Sequence, residues 1–143
     1  MNNMLHAHSG FRWLALILIV LTIIKAFKGI KNAEDYTVKH KMLALGTLIM
    51  FHLQFLIGFS LYFTGAKTKF FDMSQPFRFF TIEHPLMMII AIILVTMGYS
   101  KSKKEEYSNK KFRKILIFYT VALFITLIAI PWPFRAELDG GWF

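Results

Sequence analysis

Four long apolar runs constrain this chain more than any other feature, at positions 4–27, 42–63, 79–99 and 112–131. Crossing a bilayer as a helix takes about 20 apolar residues, and each run is close to or above that length. A strand reading fails, because membrane strands alternate apolar and polar positions whereas these runs are apolar all round. The expected fold is all-α: one integral membrane domain over residues 1–143 with four transmembrane helices. Short connections make successive helices antiparallel neighbours, so the order is an up-down-up-down bundle. The opening "MNNMLHAHSG" has no basic segment before the apolar run and no small-residue cleavage site after it, so the first helix is expected to persist in the mature chain.

Charge gives the orientation. The chain carries 17 Lys and Arg against 8 Asp and Glu. Five lysines lie between Lys25 and Lys41, and seven basic residues lie in "KSKKEEYSNKKFRK". The other side holds Lys67, Lys69, Arg78 and Arg135, and Arg12 lies inside the first run. Cytoplasmic loops carry the basic excess, so both termini are expected on the non-cytoplasmic side. Basic clusters beside membrane spans suit anionic lipid headgroups, and that placement argues against nucleic acid as the partner. In the tail, Trp132 and Trp142 suit the headgroup region, where indoles gather; a direct cofactor contact is the other reading of Trp132.

Ionisable residues at membrane depth are the informative ones. With a rise of 1.5 Å per residue, Glu83 and His84 fall roughly 6–8 Å inside the outer end of the third run. His6 and His8 fall roughly 3–6 Å in from the same side, Arg12 roughly 12 Å, and His52 roughly 16 Å down the second run. The inner halves carry almost nothing ionisable. A charge at bilayer depth costs at least ~2.5–3.5 kcal/mol, and such residues face the bundle interior and mark function. Arg12 and Glu83 are an expected ion pair, with snorkelling of Arg12 to the headgroups as its alternative.

His8 and His84 come out at nearly equal depth on different helices, where two imidazoles can grip one haem iron from opposite sides. Shifting the second helix by a turn makes His52 the partner of His84 and moves His8 behind it; both pairings stay open. Arg12, Arg78 or Lys69 could neutralise haem propionates. Glu83 is a candidate proton donor or acceptor beside a quinone headgroup. Pro85 should kink the third helix and free carbonyls near His84. His6 and His40 read as interfacial, and the eight methionines as packing residues. With 0 cysteines the chain can form no disulfide, thiolate-held cluster or c-type haem attachment, and no hydrolytic motif is present.

The segments "HAHSGFRW", "FHLQFLIGFSLYF", "RFFTIEHPLMM" with "SKSKK", and "IFYTVALFITLIAIPWPF" together resemble a family of small four-helix bacterial membrane proteins described as cytochrome b-like. The resemblance covers nearly the whole chain. It implies haem b and electron transfer in a bacterial inner membrane, with His8, His52 and His84 as candidate ligands, two of the three on the iron. Arg12, Trp13 and Glu83 are implied around them. The leading expectation is a haem b electron-transfer protein that exchanges electrons with quinone near the outer leaflet. The alternative is a cofactor-free accessory subunit of a larger respiratory or envelope complex. A proton or metal-ion carrier ranks last, because the inner halves offer no polar path.

Overall fold

The computed structural model describes residues 2–64 and 71–138. Four helices dominate: α1 Asn2–Lys31, α2 Val38–Thr64, α3 His84–Lys104 and α4 Ser108–Ala129. A π-helical turn, Phe79–Glu83, leads into α3, and a short 3-10 turn, Ala136–Leu138, follows α4. No strand occurs among the described residues, and all four helices are long and apolar enough to span a membrane. Lys67, Lys69 and Trp142 lie outside the described residues.

At the basic end the helices run past the apolar segments. Hydropathy marks the hydrocarbon core, but lysine is a good helix former whose stem lies along apolar surface while its amine reaches water. α1 therefore continues to Lys31 and α3 to Lys104. At the other end α4 stops two residues before the apolar run does. Pro131 disfavours helical geometry in the residue before it, and Ile130 is extended at φ −73, ψ 129. α1 closes with the Glu34 amide bonded to the Gly29 carbonyl at 3.0 Å and Ala33 left-handed at φ 51, a cap usually built on glycine.

α1 packs on α2 and α4, and α3 packs on α4; the α2–α3 seam is the sparsest of the four, and α1 and α3 sit diagonally. The core is Ile19, Phe51, Val95, Phe112, Ile115 and Tyr119, with small residues where helices approach. A Cβ on Gly98 would lie 2.7 Å from the Phe118 Cβ, so α3 and α4 touch through that glycine. Thr22 and Thr47 share a 2.8 Å hydroxyl bond between α1 and α2. The Tyr119 hydroxyl donates across the α2–α4 diagonal to the Ala44 carbonyl at 2.9 Å. Only 22–33% of the most apolar window of each span is buried inside the bundle.

Candidate functional site

The start of α3 is shaped by Pro85, which has no N–H to return to the carbonyl of Thr81, four residues back. The preceding turn widens, and the His84 amide bonds to the Phe79 carbonyl, five back. The Tyr62 hydroxyl from α2 donates to the Thr81 carbonyl at 3.1 Å. Where a kink was expected at Pro85, the structure has a π-helical turn, and the Thr81 carbonyl accepts from α2.

His84 finds its partner on α4. Its Nδ1 lies 2.7 Å from the Ala129 carbonyl oxygen. A carbonyl only accepts, so Nδ1 carries the proton and Nε2 presents its lone pair. The Ala129 carbonyl is one of a set of helix-terminal acceptors without helical donors. Pro131 removes the amide that Leu127 would receive, and the Trp132 indole N–H replaces it at 2.8 Å. The Ile130 amide serves Thr126 at 3.1 Å, and Arg135 Nη1 reaches Ile128 at 3.4 Å. The last turn of α4 is therefore capped carbonyl by carbonyl, with His84 as one of the caps.

His8 faces this arrangement from α1. The core-facing stripe of α2 runs through Ala44, Thr47, Phe51 and Gln54 at helical spacing, and Gly58 continues it. Gln54 Nε2 donates to the backbone carbonyl of His8 at 2.9 Å. Beside it, the His8 ring lies over Gly58, where an added Cβ would come 3.2 Å from Cε1. His8 Nδ1 is buried and has no hydrogen-bond partner among the described residues.

The His8 and His84 ring centres are 6.3 Å apart with planes 77° to one another. An imidazole nitrogen binds a first-row metal ion at about 2.0–2.1 Å and lies about 1.1 Å from its ring centre, so two rings on opposite sides of one ion have centres about 6.3 Å apart. An edge-to-face ring contact has a similar span. The glycine cradle, the orphaned Nδ1 of His8 and the tautomer fixed at His84 favour a shared ligand. These residues fit a haem.

Other expected residues are placed differently. His52 is half-buried and off the core stripe; its Nδ1 donates within its own helix to the Leu48 carbonyl at 2.9 Å, and no ring contact joins it to His8 or His84. Glu83 pairs with Arg78 at 2.7 Å, whereas the sequence pointed to Arg12. Residues five apart point about 140° apart on an α-helix, but the intervening π-helical turn closes i to i+5 and brings these two together. Arg12 is half-buried, with its guanidinium 5.6 Å from the Trp13 ring centre and within electrostatic reach of both imidazoles. Trp13 meets Trp132 edge-to-face at 6.2 Å, and Trp132 stacks on Phe134 at 5.9 Å. Trp132 is therefore a helix cap and a packing residue. The sequence reading missed Tyr62, Gln54 and Ala129 as partners; for Tyr62 and Ala129 the prolines at 85 and 131, which deprive nearby carbonyls of helical donors, were the available signal.

Four helices apolar enough to cross a membrane, with two imidazoles meeting inside the bundle, define a helical membrane protein. The family model described as eukaryotic cytochrome b561 matches residues 1–106, which include α1, α2, α3 and all three candidate ligand histidines. The chain belongs to the cytochrome b561 family, membrane proteins of haem b and electron transfer. No curated protein and no solved structure matches the chain.

Proposed function

We propose that the chain is a one-haem electron-transfer protein in which His8 of α1 and His84 of α3 hold haem b across the bundle diagonal. The 6.3 Å separation of their rings carries this reading. When bound, haem supplies a one-electron ferric–ferrous couple. His84 is oriented by the Ala129 carbonyl, a partner of the kind that fixes the tautomer and raises the basicity of ligand histidines. Gly58 keeps α2 clear of the His8 ring, and Gln54 pins the His8 backbone. Arg12 and Arg78 place positive charge where propionates can be met.

In this reading the basic end faces the cytoplasm by the distribution of Lys and Arg, and the histidine pair lies in the outer leaflet. Glu83, held by Arg78 at the mouth, is the group placed to exchange a proton with a docking quinone headgroup. A bacterial inner membrane is supported by the likeness of the sequence motifs alone; the matching family is described as eukaryotic and speaks to the haem and the fold.

The test is haem content. Protein purified in mild detergent from haem-replete cells should carry one haem b per chain. His8→Ala or His84→Ala should lower that to a tenth or less (about 1.4 kcal/mol or more of binding), while His52→Ala keeps it. A colourless wild type, or equal loss in the His52 variant, overturns the proposal.

A further inference from the structure

A second feature lies at the opposite, basic end of the bundle. A cavity of about 220 Å³ opens where the α1–α2 connection meets the end of α3 and the first turn of α4. It is large enough to hold several waters. Lys41, Lys103 and Lys111 all line it, and none of Glu34, Asp35, Glu105 or Glu106 does. Two of those carboxylates are engaged elsewhere: Glu34 with His40 at 3.9 Å and Glu105 with Lys114 at 3.7 Å.

The cavity also has hydroxyl donors. Ser102 is 2% exposed and its hydroxyl has no hydrogen-bond partner among the described residues. A buried polar group left in that state is costly unless something else satisfies it. Tyr36 lines the same cavity, near enough to Ser102 to interact with it though no well-formed hydrogen bond joins them. Burial pushes the Tyr36 pKa above its ordinary value, so its hydroxyl stays a donor at neutral pH. The start of α2 contributes as well: Thr37 and Val38 border the cavity, and the first turn of α2 holds no acidic residue to offset the positive helix end.

Three lysines line the cavity with no carboxylate to offset their charge, and the start of α2 and two hydroxyls add donors that an anion would satisfy. We infer that this cavity is a phosphate-binding site that takes the headgroup of an anionic phospholipid. Its position favours a lipid, because basic pockets between membrane helices at the headgroup level are where such phosphates lie. The inference does not depend on the haem site, and its readout needs no haem.

The experiment is native mass spectrometry of the full chain in detergent with equimolar phosphatidylglycerol and phosphatidylcholine, repeated with added inorganic phosphate. One phosphatidylglycerol should be retained per chain in preference to phosphatidylcholine. The double variant Lys103→Gln with Lys111→Gln should retain it about thirtyfold more weakly, and Ser102→Ala should also weaken it. Lys110→Gln removes one charge, as Lys111→Gln alone does, from the same helix but outside the cavity, against Tyr107, and should change little. Helicity by circular dichroism establishes that each variant is folded. Displacement of the lipid by millimolar phosphate supports the same phosphate chemistry with a soluble source. Equal retention of both lipids, or a Lys110 variant as weak as the double variant, overturns the inference.

Discussion

His84 Nδ1 donates to the Ala129 carbonyl across 2.7 Å, tying the first turn of α3 to the last turn of α4. Two prolines, one in the first turn of α3 and one just past the end of α4, make this bond possible. Pro85 opens the turn from which His84 projects, and Pro131 ends α4 so that its last carbonyls face outward for other donors.

The indole of Trp132 completes that cap through the Leu127 carbonyl. Trp132→Phe keeps the ring contact with Trp13 and Phe134 but deletes the N–H. A loss of about 1 kcal/mol in stability is expected. The bond from His84 to the Ala129 carbonyl should loosen with it, so haem dissociation should quicken by up to about tenfold. Thermal unfolding and haem transfer to an apo-acceptor measure the two effects.

Gly58 and Gly46 both lie on α2, yet their surroundings differ. An added Cβ at Gly58 meets the His8 ring at 3.2 Å, whereas at Gly46 it meets nothing within 4 Å. Gly58→Leu should therefore displace His8, cost about 1–3 kcal/mol from overpacking and lower haem retention. Gly46→Ala should leave retention unchanged. Haem-to-protein ratios after purification decide this.

Tyr62 serves a carbonyl that proline has orphaned. Tyr62→Phe deletes the bond to the Thr81 oxygen and should destabilise the fold by about 0.5–1.5 kcal/mol. The accompanying shift of the π-helical turn should appear as faster amide hydrogen exchange confined to residues near 79–86.

Arg12 places a positive charge near both imidazoles. Removing it favours the ferric state, whose net charge is one unit more positive. Arg12→Leu should lower the midpoint potential by about 59 mV or less, one tenfold step for a one-electron couple. A spectroelectrochemical titration gives the value.

The four spans were legible because apolar runs of bilayer length admit few other structures. That His8 and His84 could meet was legible as well, since helical rise converts sequence position into height along the bundle. What stayed hidden was rotation about each helix axis. In water, a polar face would show which side is buried, but lipid-exposed helices are apolar all round and erase that signal. This is why the sequence alone could not show that His8, not His52, lies beside His84, a difference that follows from the core stripe of α2 passing through Gln54. Glu83 was assigned to Arg12 for a related reason, because the π-helical turn that brings Arg78 to it changes the periodicity on which such pairing is read.

The grip of His8 and His84 on one haem is tested most directly by electron paramagnetic resonance of the ferric protein. Two neutral imidazoles with planes near the observed 77° should give a single, strongly anisotropic low-spin signal. It should persist unchanged in His52→Ala and disappear in both His8→Ala and His84→Ala. A high-spin signal in the wild type, or a low-spin signal that survives loss of His8 and vanishes with His52, would contradict the assignment.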